Sequence, residues 1–334
     1  MEKKWRQPSG SDHYSKGKFH NISPTPMLAE DKSWIQVFRE RLNRPRNATP
    51  AAPLPSIKTD LKLLSSDAPA VIWFGHSSYF IHCRNVNILV DPVFSGYASP
   101  VPGLIRAFKG SDIYQAEDFP KIDYLIITHN HYDHLDKKTL VSLMPKVKKI
   151  YTSLGVGKDI LRCSGQDADI TEMDWWEKET LQDNVSLTAT PGRHFSGRGL
   201  IQGGSLWSSF VLDIFGYKLF IGGDSGYDKH FKQIGDQFGP FDLAILECGQ
   251  YNAAWHFIHL TPEETAEAAI DLKAKALLPV HWGKFALANH AWNEPPRRLS
   301  VRAKELGLKV VFPKIGEEVV IDKSYPDEHW WENS

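Results

Sequence analysis

Cysteine is scarce in this 334-residue sequence, which contains only Cys83, Cys163 and Cys248. They cannot all pair and are not spaced like a metal site, which predicts a reducing, cytoplasmic compartment rather than a disulfide framework. Long apolar runs are also missing, since none reaches the roughly 18 residues that a membrane span needs. The start of the chain is charged and polar and has no secretory signal pattern. We therefore expect a soluble cytoplasmic protein.

The sequence also lacks a surplus of charge of one sign. Lys and Arg number 39, Asp and Glu number 40, and the net charge is -1. Proteins that bind nucleic acids usually carry a basic surplus, so the bulk charge predicts no nucleic-acid partner, although a local basic patch stays open. Hydrophobic residues make up 42% and charged residues 24%, which is the balance of a globular protein with a buried core.

The first 68 residues differ in composition from the rest of the chain. They are rich in polar residues, proline, lysine and arginine, and they contain one helix-like stretch at residues 32–42. In that stretch Trp34, Ile35, Phe38 and Leu42 recur at helical spacing. We expect residues 1–68 to form an N-terminal arm packed on a main domain at 69–334, with a partly disordered tail as the alternative.

The main domain shows two strand-rich halves with helices between them, which predicts an α/β fold of the four-layer αββα sandwich type. The predicted strands cover residues 71–74, 78–82, 87–90, 124–128, 148–152, 186–190, 208–213, 218–222, 243–246, 276–280, 309–312 and 318–321. The predicted helices of this domain cover residues 137–144, 156–162, 262–272 and 299–306.

A cluster of potential metal ligands follows the apolar strand at 124–128. His129, His131, Asp133 and His134 lie within six residues. Side chains two residues apart in an extended segment point to the same side, so His129 and His131 can bind one ion together. Asp133 and His134 can then bind a second ion. Imidazole and carboxylate suit zinc, and the set also fits manganese or iron. The alternative is a solvated loop.

Three further candidates occupy similar places. His194 and His281 come at or just after the ends of predicted strands, and Asp224 follows the strand at 218–222. Each alone is weak, because a single histidine after a strand is more often structural. Together with the cluster they supply seven ligands from four segments, which is enough for a site with two divalent metal ions.

The spacing H-x-H-x-D-H at 129–134 resembles the hallmark of the metallo-β-lactamase superfamily. The resemblance implies the αββα fold and a division of the ligands between two ions. By position, His129, His131 and His194 would hold one ion, Asp133, His134 and His281 the other, and Asp224 would bridge both together with a hydroxide. Asp91 would support the ligand histidines from behind, unless its Asp-Pro pair is an ordinary turn. His76 would lie near the site, where a structural role is an equal alternative.

Flanking segments resemble one branch of that superfamily, the N-acylphosphatidylethanolamine-hydrolysing phospholipases D. The likeness covers roughly residues 70–310 and includes the segments Gly75-His76, Asp91-Pro92-Val93-Phe94-Ser95, Asp174-Trp175-Trp176-Glu177, Gly222-Gly223-Asp224-Ser225-Gly226-Tyr227 and His281-Trp282-Gly283-Lys284. His259 matches an active-site histidine that is not a ligand and could donate a proton or hold a phosphate oxygen. Its alternative is a residue flanking a helix, since Thr261 and Glu264 form a capping-box pattern.

The resemblance implies a dinuclear metal-dependent hydrolase that cleaves a phosphodiester of an N-acylphosphatidylethanolamine-type phospholipid, with Asp133, Asp224 and His259 as catalytic residues. Hydrolysis of a lactone or other small ester is the alternative, followed by a metal-binding protein without turnover. β-Lactam cleavage is disfavoured, because β-lactamases of this fold usually carry a cysteine at the place of Asp224. Peripheral membrane contact would use apolar stretches at 97–108 and 255–258. Related enzymes also suggest a homodimer.

Overall fold

The N-terminal region contains a small hairpin and one helix. The computed structural model describes residues 7–101, 103–199 and 202–332, so the first six residues of the predicted arm lie outside it. The hairpin strands are β1 (Tyr14–Ser15) and β2 (Lys18–Phe19), and the helix is α1 (Trp34–Leu42). Ser33 and Gln36 form a capping box at the start of α1, which confirms the helix that the sequence predicts there.

The first large sheet is built from the strands that precede and follow the metal-ligand motif. Six of them are β3 (Ala70–Trp73), β4 (Tyr79–Cys83), β5 (Val86–Val90), β6 (Ile122–Ile127), β7 (Val147–Ser153) and β8 (Ile170–Met173). They pair in this order, antiparallel from β3 to β5 and parallel from β5 to β8. A seventh strand near the C-terminus, Glu318–Val320, pairs with β3 at the edge.

The second sheet comes from the other half of the chain. Its strands are β9 (Lys178–Gln182), β10 (Val185–Pro191), β11 (Ser208–Ile214), β12 (Tyr217–Ile221), β13 (Leu243–Glu247) and β14 (Leu277–Val280). They pair in sequence order, antiparallel up to β12 and parallel from β12 to β14. The strand at Glu318–Val320 in the first sheet is therefore β15.

Helices cover the outer faces of both sheets. They are α2 (Lys137–Leu143), α3 (Gly157–Ser164), α4 (His230–Phe238), α5 (Pro262–Asp271) and α6 (Glu294–Leu306). Along β6, Leu125 packs in one apolar cluster with Leu140 of α2 and Ile160 of α3. Its neighbour Ile126 points to the opposite face, into a cluster that contains Leu187 of the second sheet. This alternation gives helix–sheet–sheet–helix layers, as the sequence predicts.

One predicted strand is wrong. Residues 309–312 are not a strand of either sheet, and only a single bridge joins Val310 to Leu277. The segment lies alongside β14, but the backbone bonds there join only Leu277 to Lys309 and Val311. An apolar segment that packs its side chains without a continued ladder resembles a buried strand in sequence alone.

No helix in the described part of the chain has both the length and the apolar character needed to cross a membrane.

Candidate metal centre

The predicted ligands gather at one edge of the two sheets. The loop with His129, His131, Asp133 and His134 begins two residues after β6 ends. From the second sheet, His194 follows β10, Asp224 follows β12 and His281 directly follows β14. Because the strands of both sheets end at this edge, the structure brings all seven predicted ligands into two adjoining groups.

The first group consists of His129, His131, His194 and Asp224. His131 Nδ1 lies 2.9 Å from His129 Nε2 and 3.2 Å from His194 Nε2. Asp224 Oδ2 is 3.8 Å from His129 Nε2 and 3.7 Å from His194 Nε2. Three ring nitrogens and a carboxylate oxygen thus face one point.

Hydrogen bonds on the far side of two rings fix the nitrogens that face this point. His194 Nδ1 lies 2.9 Å from the carbonyl oxygen of Ile258 and can only donate to it. Thr128 gives its hydroxyl hydrogen to Asp91 at 2.6 Å, so His129 Nδ1, 3.0 Å from that hydroxyl, donates as well. Both Nε2 atoms therefore carry bare lone pairs. His131 can offer a proton to only one of them, whereas a metal ion satisfies all three rings.

The charges in the group also suit a cation. Burial lowers the pKa of His129 and of His194 well below the usual value, and it lowers the pKa of His131 to about 4. The three rings are therefore neutral at neutral pH, which is the form that binds metals. Burial opposes ionisation of Asp224, but the surrounding histidines outweigh it and hold its pKa well below the usual range.

The second group consists of His76, Asp133, His134 and His281. His76 Nε2 lies 2.9 Å from Asp133 Oδ2, and His134 Nε2 lies 3.2 Å from Asp224 Oδ1. His281 Nδ1 is 2.8 Å from Ser77 Oγ and 3.2 Å from Asp224 Oδ1. The two 3.2 Å contacts to Asp224 Oδ1 are not aligned as hydrogen bonds, so among the described residues the buried atoms His134 Nε2, His281 Nε2 and Asp224 Oδ1 have no hydrogen-bond partner. Buried polar atoms without partners are costly, and a bound cation would satisfy these three.

Asp91 lies behind His134, in the supporting place that the resemblance implies. Its Oδ2 accepts from His134 Nδ1 at 2.7 Å, and its Oδ1 accepts from the backbone N–H of Thr128 at 2.9 Å. These contacts turn His134 Nε2 towards Asp224. Burial opposes a charge on His134, but Asp224, Asp133 and Asp91 together raise its pKa well above the usual value. Three carboxylates, Asp224, Asp133 and Asp91, thus surround His134, and divalent ions would balance their negative charge.

Three residues of the centre adopt left-handed backbone conformations. The φ angles are +53° at His76, +40° at Asp91 and +66° at His281. Such conformations cost about 1–3 kcal/mol at residues with a side chain and persist where the surroundings enforce them. Here His76 N–H donates to Trp282 C=O at 2.7 Å, and His281 N–H donates to His76 C=O at 2.9 Å. The two loops, one from each sheet, are thus joined directly.

His259 lies beside both groups and is paired with a residue that sequence reasoning missed. Its Nδ1 is 2.7 Å from Glu247 Oε2, and its ring centroid lies 5.0 Å from that of His194 and 5.3 Å from that of His281. Burial alone would lower the pKa of His259, but Glu247 raises it to about 9. The available signal for Glu247 was a carboxylate at the end of the apolar strand β13.

A cavity of about 210 Å³ opens over the two groups. His131, Asp133, Asp224 and His259 face it, and its walls are mostly apolar, with Met27, Phe195, Trp255, Ile258 and Leu287. An apolar pocket with a few convergent polar groups is typical of a small-molecule site.

The comparisons with known proteins agree with this geometry. A family model described as a beta-lactamase superfamily domain matches residues 86–282. The chain belongs to the metallo-β-lactamase superfamily. It is a metal-dependent hydrolase of that superfamily, with histidine and aspartate clusters able to hold metal ions.

Two relatives of this superfamily chain illustrate how far the likeness extends. An uncharacterized protein of Mycobacterium tuberculosis is 36% identical over 327 residues, which cover 96% of this chain and 87% of the relative. The N-acyl-phosphatidylethanolamine-hydrolyzing phospholipase D, mitochondrial, of Saccharomyces cerevisiae is 34% identical over 264 residues, which cover 75% of this chain and 55% of the relative.

Among solved structures, the superfamily fold recurs in an isothiocyanate hydrolase from Delia radicum gut bacteria. The TM-score is 0.60 at 21% identity, with 75% of this chain and 98% of the other covered. The fold predicted from the sequence is therefore confirmed. The roles of the individual ligands stay predictions that the geometry supports.

Proposed function

We propose that this chain is a dinuclear phosphodiesterase that cleaves N-acylphosphatidylethanolamine-type phospholipids in the manner of a phospholipase D. Asp224 supports the two-metal part most strongly, because its two carboxylate oxygens face different ligand groups. Zinc fits the nitrogen and oxygen ligands, and manganese or iron would fit as well. The yeast relative, whose name states this activity, supports the choice of substrate.

When bound, two divalent ions would supply a hydroxide at neutral pH and polarise the phosphoryl oxygens. His129, His131 and His194 would hold one ion, Asp133, His134 and His281 the other, and Asp224 both. His76 would keep Asp133 in place through their 2.9 Å hydrogen bond. The left-handed loops described above would hold the ligands before the substrate arrives, which limits the reorganisation needed during the reaction.

His259 would protonate the departing alkoxide of the N-acylethanolamine. Because His259 Nδ1 donates to Glu247 Oε2, its Nε2 is free to face the cavity and carry the proton. Nearby divalent cations would lower the pKa of His259 from about 9 and bring it closer to the neutral range in which general acids are most effective. The apolar walls of the cavity would exclude water from this transfer.

A lipid substrate calls for contact with a membrane, and we propose that the N-terminal helix provides part of it. Ile35, Phe38 and Leu42 lie on one face of α1 and are 66%, 61% and 70% exposed. The polar side chains Gln36, Arg39 and Glu40 of the same helix line a surface groove together with Asn252 and Asn289. Asn289 lies two residues along the chain from Leu287, which lines the cavity, so one loop contributes to both the groove and the cavity.

The apolar stretch at 97–108 is exposed in part. Val101 and Leu104 are 57% and 67% exposed, whereas Phe108 is buried, and residue 102 lies outside the described residues. Ile105 packs in the same small cluster as Leu287.

The proposed membrane contact of α1 can be tested by sedimentation with phospholipid vesicles. Phe38→Asp should weaken binding to the vesicles, while Val301→Asp, at an exposed position of α6, should not.

Hydrolysis of a lactone or other small ester is the second candidate. The volume of about 210 Å³ favours it, since such a cavity holds a small substrate more readily than a whole phospholipid. A metal-binding protein without turnover would show ions and no hydrolysis of any substrate.

The decisive experiment compares metal content with hydrolysis of three substrates: N-palmitoylphosphatidylethanolamine, bis-p-nitrophenyl phosphate and an acyl lactone. We expect two ions per chain and cleavage of both phosphodiesters by the wild type. Asp224→Asn should lose metal and activity together, whereas Asp213→Asn, half-buried on β11, should keep both. Full turnover by Asp224→Asn would falsify the two-metal proposal, and cleavage of the lactone alone would favour the second candidate.

A further inference from the structure

One residue of the N-terminal arm binds the backbone of a predicted metal ligand from far away in the sequence. Asn21 Nδ2 donates to the carbonyl oxygen of His194 at 2.8 Å. In return, the N–H of His194 donates to Asn21 Oδ1 at 3.1 Å. The side chain of Asn21 thus pairs with both polar backbone groups of His194, as a neighbouring strand would.

The pairing matters because His194 has a nearly inaccessible position, with 1% of its surface exposed. His194 belongs to no strand or helix. Within the described residues, its N–H and C=O form no hydrogen bond with a main-chain group. Without Asn21, two buried backbone groups would lose their partners, so the loop would have to move to reach water or new partners. Any such movement would displace the ring that faces the first ligand group.

The position of Asn21 is itself fixed by the arm and the main domain. Its Oδ1 also accepts from Trp207 Nε1 at 3.1 Å. Two residues earlier, Phe19 is buried in an apolar cluster with Leu154, Trp175 and Trp207. The N–H of Phe19 donates to Gly203 C=O at 2.9 Å. The amide of Asn21 is therefore held rigidly enough to position another residue.

Further arm contacts surround the same loop. Arg193, next to His194, donates from Nε to Thr25 Oγ1 at 3.0 Å and from Nη2 to Pro24 C=O at 2.9 Å. Met27 then lines the cavity over the two groups. Ala29 N–H donates to Ala254 C=O at 2.8 Å, which joins the arm to the residue that precedes Trp255 of the cavity wall.

We infer that Asn21 is a positioning residue of the metal centre, and that the arm around it is a structural part of the active site. The inference deepens the proposed function, since it assumes that His194 binds an ion there. Asn21 is not a member of either ligand group and does not line the cavity over them. It acts through His194, whose ring is oriented by Ile258 C=O and whose backbone is oriented by Asn21.

The test measures zinc affinity rather than turnover. Metal-free wild type, Asn21→Ala, Asn21→Asp and Asn293→Ala are titrated with zinc against a chromophoric chelator, and their melting temperatures are recorded. Asn293 is a matched control, because its Nδ2 also donates to a distant carbonyl, that of Trp331, at 3.1 Å. We expect Asn21→Ala to bind one of two ions about 10–100-fold more weakly, the range for loss of a residue that supports a ligand.

Asn21→Asp keeps the acceptor for His194 N–H and loses the donor to His194 C=O, so an intermediate loss is expected. Asn293→Ala should bind both ions as the wild type does, even where its melting temperature falls. Unchanged affinity of Asn21→Ala for both ions would overturn the inference alone. If Asn21→Ala does not fold, the zinc affinity of Asn21→Asp is compared with that of the wild type instead, and unchanged affinity for both ions would overturn the inference in the same way. A wild type that binds neither zinc nor, in the same titration, manganese or iron would overturn the proposed metal centre as well.

Discussion

Three of the predicted ligand histidines are oriented by a hydrogen bond of the nitrogen that does not face the cluster. His134 donates to Asp91, His194 donates to Ile258 C=O, and His129 donates to Thr128. These partners determine the tautomer and therefore which nitrogen is available to a metal. The supporting residues are expected to matter almost as much as the ligands.

Asp91→Asn should weaken metal binding without removing a ligand. An amide at this place accepts a hydrogen bond from His134 less strongly than a carboxylate, and it removes one of three negative charges around that ring. We expect zinc affinity to fall about 10–100-fold. Zinc per chain after dialysis at a fixed free-zinc concentration measures this, with Asp167→Asn at an exposed position as the control. Equal zinc content in both variants would show that Asp91 does not support the site.

His259 and Glu247 should behave as one unit in catalysis. His259→Ala should keep both ions and lower kcat on the lipid about 10²–10⁴-fold, as expected when a general acid is lost. Glu247→Gln should lower kcat less, and the double variant should be no slower than His259→Ala, because both changes remove the same function. The loss should shrink for bis-p-nitrophenyl phosphate, whose leaving group needs little protonation. Additive losses, or equal losses on both substrates, would contradict the assigned role.

The sequence was most informative about residues whose spacing is local. The backbone geometry of one loop positions the predicted ligands of the motif at 129–134. The type and spacing of these residues were therefore sufficient to predict them as ligands. Glu247 ends an ordinary apolar strand, and nothing near it in the chain indicates its contact with His259. Asn21 was equally hidden, because its partner His194 comes near it only through the packing of the arm.

At the level of elements, the start of α5 links local capping to the site. Thr261 accepts from Glu264 N–H at 3.3 Å, Glu264 accepts from Thr261 N–H at 2.9 Å, and Pro262 occupies the first helical position. The sequence predicts this helix because these signals lie within four residues. The helix begins three residues after His259. The sequence allowed that histidine to be either an active-site residue or a residue flanking a helix, and in the structure it lies next to both the site and the helix.

Thr261→Ala should lower the free energy of unfolding by about 1 kcal/mol, since the N-cap residue loses the acceptor for the first turn. Urea unfolding followed by far-UV circular dichroism measures the change. Ser300→Ala, at a partly exposed position in the middle of α6, should change it by less than about 0.5 kcal/mol. A Thr261→Ala protein as stable as wild type would show that the cap does not stabilise α5.

The elements that sequence reasoning missed have weak local patterns. The edge strand β9 alternates half-buried with exposed residues and is mostly polar, so it resembles a loop. The helix α4 contains Gly235, an unfavourable helix residue, at a place where an added Cβ would meet Asp271 C=O at 1.9 Å. The absence of a side chain at Gly235 allows α4 to pack closely on α5. This reason for a glycine within a helix is visible only in the tertiary structure.

On the scale of the whole molecule, bound metal should contribute strongly to stability. A ligand that binds only the folded state adds about 2.7 kcal/mol when present at 100 times its Kd. Removal of metal also leaves the buried carboxylates and imidazoles of both groups without a balancing cation. We expect chelation to lower the free energy of urea unfolding by at least about 3 kcal/mol, and zinc to restore it. Identical unfolding curves with and without chelator would contradict a tightly bound metal centre.

The distribution of the ligands between the two sheets gives the ions a second role. The first group takes His129 and His131 from the sheet of β3–β8, and His194 and Asp224 from that of β9–β14. The second group is divided in the same way, with His281 from the latter sheet and the other three members from the former. Each ion would therefore act as a removable cross-link between two halves of the chain. Fragments separated at the turn between β9 and β10 would each carry an incomplete set, so metal would make their reassembly conditional on both being folded and docked.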